Sequence, residues 1–239
     1  MSYFLSHELL ASGQETILSG PEAEHLLKAR RIRKGEKFQL QDIDGNRFEA
    51  ELVLADRGRA TAKVIRPLPV PPPPAVRVSL LQAAVKERAM EWIIQKTTEL
   101  GVAELIVFPS ENSTVSEKQL AGGKIRERWL RVAWEASKQC ERQFPPDITI
   151  HQTLEKGIEV CASGGWVLDL AQGVSPETAR RKTGMPSRMG LLIGPEGGLL
   201  PQEIDTAKKN GYLPIRLGET VLRAETAAVA GLTLLLHGE

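Results

Sequence analysis

The chain has 239 residues, 41% hydrophobic and 26% charged, and its 31 basic residues against 30 acidic ones leave a formal net charge of +1. That size and apolar content suit one large globular domain or two modest ones, and the charge balance excludes a polycationic tail while leaving room for a local basic patch. Two isolated cysteines, Cys140 and Cys161, and four scattered histidines at no metal-ligand spacing argue against a disulfide framework or a zinc site, so buried free thiols and no metal are expected.

The opening MSYFLSHELL has no basic start followed by an apolar core, so it does not read as a signal peptide. The longest membrane-span candidate, residues 227–236, is too short and contains Gly231 and Thr233, so a cytoplasmic protein with no membrane partner is expected. Early in the chain, residues 21–31 predict a helix with Pro21 at its first position. Residues 37–43 alternate polar and apolar, Asp44-Gly45 signals a hairpin, and residues 47–54 return as a second strand. Arg57-Gly58-Arg59 turns the chain into a further strand at 60–65, and short strands with close turns predict a small barrel over 1–68. The prolines of residues 67–74 favour stiff, extended backbone, and 69–74 is read as a semi-rigid linker.

Beyond the linker, over 75–239, strands alternate with helices, which implies an α/β domain with a mostly parallel sheet. Residues 76–84 form an apolar strand. A helix over 87–100 places Met90, Ile93, Ile94, Thr97 and Leu100 on one face and stops at Gly101. A strand follows at 103–108, then a long helix marked by Ile125, Trp129, Val132, Ala133, Ala136 and Cys140, then short strands at 166–170, 191–193 and 214–217.

Three segments can carry chemistry. Leu191-Leu192-Ile193-Gly194-Pro195-Glu196-Gly197-Gly198 runs an apolar strand into a glycine turn before a helix from Pro201 to Asn210-Gly211. Glycines at a strand's carboxyl end admit a ligand close to the backbone, yet a tight turn alone needs them as well. The turn has neither the P-loop nor the GxGxxG pattern. In the second segment, Leu217-Gly218 leads into a loop with Arg223 and a helix over 226–236. Glu225 there can cap the helix or meet a ligand, and Arg223 either pairs with Glu225 or addresses an anion. The third is the basic cluster of Lys28, Arg30, Arg31, Arg33, Lys34 and Lys37, which suits RNA phosphates or a solvated helix end. A weaker basic set, Lys118, Lys124, Arg126, Arg128 and Arg131, can be the polar face of the long helix.

The GPEGG and LGxxxLRxETA segments together resemble the SPOUT class of methyltransferases, and more narrowly the RsmE family, which methylates a ring nitrogen of one uridine in small-subunit ribosomal RNA. The resemblance extends to Gln95-Lys96-Thr97-Thr98-Glu99-Leu100-Gly101-Val102, to Ala136, Gln139 and Arg142 in an A-x-x-Q-x-x-R stretch, and to His25-Leu26 with the basic run up to Gly35. The chain departs from the family at Ser2-Tyr3-Phe4-Leu5, where an arginine is common in the first strand. It departs again at Asn112, where an arginine precedes Ser113, and at Cys140, where serine is usual.

The resemblance implies a PUA-like RNA-binding barrel followed by a trefoil-knotted domain that works as a homodimer. S-adenosylmethionine would lie in three loops: the strand end Leu168 to Leu170, above all Leu170; Ile193 to Gly198, above all Ile193, Gly194, Glu196, Gly197 and Gly198; and Leu217 to Ala227, above all Leu217, Gly218, Val221, Leu222, Thr226 and Ala227. RNA would meet Lys28, Arg30, Arg31, Arg33, Lys34 and Arg142, the substrate being ribosomal RNA in the assembled small subunit. Methyl transfer is an in-line displacement that needs alignment and charge placement. The uridine N–H must lose its proton before the nitrogen attacks, so Arg223 is expected to stabilise the anionic imide and Glu225 to position Arg223 or the base. Two other readings stand beside this: a related enzyme acting on ribose or on transfer RNA, and a non-catalytic RNA-binding factor whose glycine turns only pack.

Overall fold

The computed structural model describes residues 3–120, 122–161, 164–184 and 186–237. Ser2, part of the first-strand departure, lies outside the described residues. The chain divides into two compact units, Met1–Pro72 with Ser137–Phe144, and Pro73–Ala136 with Pro145–Glu239.

The first unit is built on β1 (Phe4–Leu5), β2 (Glu15–Leu18), α1 (Gly20–Glu24), β3 (Lys37–Gln41), β4 (Arg47–Asp56) and β5 (Arg59–Leu68). They form one five-stranded sheet in the order β1-β3-β4-β5-β2, antiparallel except where β1 joins β3. Alternation sends Phe38, Leu40, Ala60, Ala62 and Val64 into one core with Leu26 and Leu52. Both central residues of the β4–β5 turn have positive φ, Arg57 at 44° and Gly58 at 77°, as the tight hairpin twist requires.

Two expectations shift here. The helix over 21–31 is an α-turn that passes at His25–Ala29 into a π-helical turn, with Arg30 N donating to His25 O at 2.9 Å. The wider turn keeps Leu26 fully buried, and Arg31, at φ 54°, ends it. Pro67, at the head of the proline run, belongs to β5 and pairs with Phe48. It is tolerated because β2 covers β5 only from Ala60 to Lys63, leaving Pro67 on a local edge.

Segment Ser137–Phe144 is tied into this unit through polar groups. Tyr3 donates to Arg142 O at 2.6 Å, and Gln41 Nε2 donates to Gln143 O at 2.7 Å. The Arg47 guanidinium stacks 4.0 Å over the Tyr3 ring and donates to Gln41 Oε1 and Glu141 O. Burial pushes the Tyr3 phenol up to about 12 despite the opposing charge of Arg47. Lys138, buried, pairs with Glu22.

The second unit contains β6 (Arg77–Ala83), α2 (Glu87–Leu100), β7 (Glu104–Phe108), α3 (Glu117–Leu120), α4 (Gly123–Gln139), β8 (Asp147–Ile150), α5 (Leu154–Val160), β9 (Gly165–Leu168), α6 (Pro176–Thr183), β10 (Arg188–Ile193), α7 (Pro201–Lys209), β11 (Tyr212–Ile215) and α8 (Ala224–His237). The last three residues of α4 open the segment assigned to the first unit. Six parallel strands lie in the order β11-β9-β10-β6-β7-β8. Both faces are covered: Leu80, Leu105, Trp166 and Leu191 enter one core with α2 and α8, while Leu81, Ile106, Val167 and Leu192 enter another with Tyr212. Helix α2 ends as its sequence predicts, at Gly101 with φ 99°. Because β10 lies between β6 and β9, the carboxyl ends of β9, β10 and β11 are neighbours, and the turns that follow them come together. Among the described residues, no helix is long and apolar enough to cross a membrane. Cys140 and Cys161 are free thiols, half-buried rather than fully buried.

Candidate active site

Three turns leave the carboxyl ends of β9, β10 and β11, and the first two are shaped by backbone that a larger residue would disrupt. After β9, Asp169 N donates to Ile215 O at 3.0 Å, Asp169 Oδ1 accepts from Ala171 N, and Val174 N donates to Pro214 O. A β-carbon on Gly173 would stand 2.3 Å from the Ile215 carbonyl carbon and 2.5 Å from Arg216 N, so only glycine lets this turn lie against β11.

After β10, the chain doubles back on itself. A β-carbon on Gly194 would be 3.0 Å from Leu199 Cγ, and Gly198, at φ +74°, donates to Pro195 O. The turn ends in α7, where Pro201 occupies the first helical turn and Glu203 Oε2 accepts from Leu200 N at 2.7 Å. After β11, Arg216 pairs with Glu219 at 3.4 Å, and the Arg223 carbonyl accepts from Ala227 N to start α8. That helix begins at Ala224, two residues before the expected start, so Glu225 lies in its first turn. A carboxylate there is favoured by the helix dipole.

The turns enclose an open cleft, placed outside the carboxyl ends of the strands where open α/β sheets bind ligands. Of the residues expected to hold a cofactor, Leu170, Ile193, Gly194, Glu196, Gly198, Leu217, Gly218, Val221, Leu222 and Ala227 line it. Gly197 does not; it faces Asn112, whose Cβ lies 3.0 Å from where a glycine β-carbon would stand. Thr226 is exposed and outside the lining.

The glycines of the first two turns are explained by protein neighbours or by positive φ. Gly218 is different: its φ is ordinary and a β-carbon would meet no protein atom within 4 Å. Val221 is 82% exposed and Leu170 41%, so apolar side chains stand at the mouth with nothing of the described chain covering them.

Leu168, Asp169, Pro195, Thr220 and Ala224, which fall within the three expected loops, also line the cleft, whereas Leu199, Ile215 and Arg216 lie outside those loops and were missed. Asp169 carried a weak signal, as the first polar residue after the apolar strand 166–168 and four residues before Gly173. Arg223 is exposed and, among the described residues, its guanidinium has no ion-pair or hydrogen-bond partner. Of the two expectations for it, pairing with Glu225 is therefore not what the structure holds. The expected contact of Glu225 with Arg223 is absent for the same reason.

The basic cluster lies in the first unit. Lys28 pairs with Glu24 at 2.5 Å and Lys37 with Glu49 at 3.1 Å, whereas Arg30, Arg31, Arg33 and Lys34 are exposed with no acidic partner among the described residues. Arg142 is half-buried in that unit and is engaged by neighbours. In the weaker basic set, Arg128 pairs with Glu87 and Glu91, and Arg126 Nε donates to Ile148 O at 3.0 Å, so these two are bound up in the fold. Among the described residues, no cluster of three histidine, cysteine, aspartate or glutamate side chains is placed to hold a metal.

Residues 72–236 match the RNA methyltransferase domain family and residues 18–65 the RNA methyltransferase PUA domain. The chain is 30% identical over 227 residues to ribosomal RNA small subunit methyltransferase E of Mycobacterium bovis, covering 92% of this chain and 86% of that one. Among solved structures, a methyltransferase from Legionella pneumophila with bound cofactor SAM superposes with a TM-score of 0.87 at 28% identity, over 98% of this chain and 96% of that one. Ribosomal RNA small subunit methyltransferase E from Neisseria gonorrhoeae, bound to S-adenosyl methionine, gives 0.84 at 26% identity over the same shares.

Proposed function

The chain belongs to the RNA methyltransferase family, among the ribosomal RNA small subunit methyltransferases E, and from that premise we propose that it methylates the ring N3 of one uridine in small-subunit ribosomal RNA. The observation that supports this most is the cleft itself, where three adjacent turns meet; Arg223, between the lining residues Leu222 and Ala224, is exposed, lies outside the lining and has no partner among the described residues. S-adenosylmethionine suits the residues present: apolar Leu170, Leu217, Val221 and Leu222 for its adenosine and side chain, open space at Gly218, and Asp169 and Glu196 as carboxylates for its cationic groups. When bound, it supplies a methyl group made electrophilic by the sulfonium.

The chain's own residues then have two tasks. The turns after β9, β10 and β11 hold one reactant in line with the other, which is where most of the rate gain in such a displacement arises. Arg223 places a fixed positive charge at the mouth, where an imide anion forms as the uridine loses its ring proton. The unsatisfied first-turn N–H groups of α8 add to the same field. Glu225 supports this arrangement from within the first turn of α8 rather than by touching Arg223.

Arg30, Arg31, Arg33 and Lys34, exposed and without an acidic partner among the described residues, would track phosphates of the RNA. Arg142 belongs to the same reading as a residue that shapes this unit's surface. Helix α8 is apolar on nearly every side, yet Val229, Ala230, Leu234 and Leu236 are only half-buried, which supports a homodimer formed over it. A cytoplasmic location, a deep trefoil knot in the second unit and an assembled small subunit as substrate belong to the same proposal.

The test is to incubate the protein and S-adenosylmethionine with intact small subunits, free ribosomal RNA and transfer RNA, then digest each to nucleosides for mass spectrometry. 3-Methyluridine from the small subunit alone is expected. Ribose-methylated nucleosides or product from transfer RNA would replace the proposal with another RNA substrate, and no product from any would leave a binding factor.

A further inference from the structure

Gly197 is the one glycine of the GPEGG turn that neither lines the cleft nor has a positive φ. Its neighbour is Asn112, on the loop between β7 and α3, whose Nδ2 donates to Gly197 O at 3.3 Å and to Gly198 O at 3.1 Å. A second tie runs alongside. Ser110, 7% exposed, donates through Oγ to Glu203 Oε2 at 3.0 Å, the same oxygen that accepts from Leu200 N. Ser113 Oγ accepts from Ser110 N and holds the loop in shape. The turn is thus gripped at its middle and at its junction with α7 by one short loop.

We propose that Asn112, backed by Ser110, is a positioning residue that holds the β10–α7 turn in the form in which it walls the cofactor cleft. The physical reason lies in the peptide unit between Gly198 and Leu199. In a trans peptide the C=O and N–H point in opposite directions, so drawing Gly198 O to Asn112 aims the Leu199 N–H away from it. Leu199 N has no hydrogen-bond partner among the described residues and lies 3.1 Å from where a Gly194 β-carbon would stand. Leu199 and Gly194 both line the cleft. Asn112 therefore fixes a spare backbone donor at the cofactor wall from the far side of the turn. Gly197 is required because the asparagine approaches too closely for a side chain. This position is also where the chain departs from the arginine of the family it resembles, so a neutral clamp stands in place of a cation.

This inference rests on the cofactor reading above, and its test separates the two. Asn112→Ala removes both donors from an exposed position, and Asn112→Asp sets a carboxylate against two carbonyls. Calorimetric titration of the full chain with S-adenosylmethionine should show affinity lower by roughly 5- to 30-fold for Asn112→Ala and by more for Asn112→Asp. KM for the cofactor should rise while kcat stays within about threefold, with Tm within about 2 °C of the parent. Affinity within twofold of the parent for both variants overturns the proposal, whatever happens to Tm. If Tm also falls, titration at 10 °C decides: a persistent loss of affinity upholds the clamp and a vanished one overturns it. Should the parent protein bind no cofactor, the functional reading fails on its own. In that case, faster amide exchange at Gly197, Gly198 and Leu199 in Asn112→Ala still upholds the clamp, and unchanged exchange overturns it.

Discussion

The two ends of the parallel sheet are built from the same strands and serve opposite purposes. At the amino end, Arg77 on β6 meets Glu104 on β7 at 2.7 Å, and Ser79 donates to the same carboxylate at 2.8 Å. The Glu104 carboxylate there is matched by groups of the protein itself. At the carboxyl end, the turns after β9, β10 and β11 leave a cleft, exposed apolar side chains and, in Arg223, a guanidinium without a partner among the described residues. Exposed apolar side chains gathered around a cleft mark a surface that a ligand covers, which points to a ligand at this end.

The sharpest way to break that comparison is Arg223→Ala. Turnover should fall by about 10²- to 10³-fold or more, while cofactor affinity stays within several-fold, because the charge acts on the forming imide and not on the bound cofactor. Single-turnover kinetics beside calorimetry checks this, and full activity would remove Arg223 from the mechanism. Gly173→Ala comes next. Its β-carbon would collide with the backbone of Ile215 and Arg216, so about 1–3 kcal/mol of stability and roughly tenfold or more in cofactor affinity should be lost together, as read by denaturant unfolding and titration.

Gly218→Ala sharpens the contrast between glycines that shape turns and one that leaves room. With no protein atom in its way, Tm should hold within about 1 °C while affinity falls several-fold; unchanged affinity would show that the space at Gly218 is not used.

The smallest effect belongs to the amino end. Burial would raise the Glu104 carboxyl, but hydrogen bonds from Arg77 and Ser79 and the nearby charges of Arg77 and Arg188 outweigh it and hold the group below its ordinary range. A carboxylate lowered in the folded state stabilises above its unfolded pKa and loses that contribution as pH falls through the folded value. Arg77 is half exposed, so Glu104→Gln should cost only about 0.5–1 kcal/mol near neutral pH. The difference from the parent should shrink in acid, with methylation unchanged at neutral pH. Urea midpoints across pH check it, and a deficit that grows in acid would contradict the assignment.

What could be read from the sequence follows from how local each cause is. Helix α2 was legible because its apolar period and the glycine stop at Gly101 lie in one stretch of chain. The strand–turn–helix around Gly194 and Pro201 was legible for the same reason. Strand β8, only four residues at a sheet edge, carries too short a pattern to stand out. The π-helical turn at His25–Ala29 was hidden because its spacing differs from an α-helix by one residue over a single turn.

The site divides in the same way. Its glycines announced themselves and the resemblance marked out the loops that hold Asp169 and Thr220, but Leu199, Ile215 and Arg216 join the cleft only through the strand order, which no local signal states. The grip of Tyr3, Gln41 and Arg47 on Ser137–Phe144 joins residues 94 to 139 positions apart. Asn112 was visible in the sequence only as a departure from a resembled pattern, and its meaning came from the two carbonyls it meets.

The central claim, that the carboxyl end of the sheet holds the cofactor, is tested most directly by amide hydrogen exchange with and without saturating S-adenosylmethionine. Added protection is expected in residues 169–174, 194–200 and 216–224, and none at the amino ends of β6 and β7. Binding that protects other segments while leaving these three turns unchanged would contradict the account.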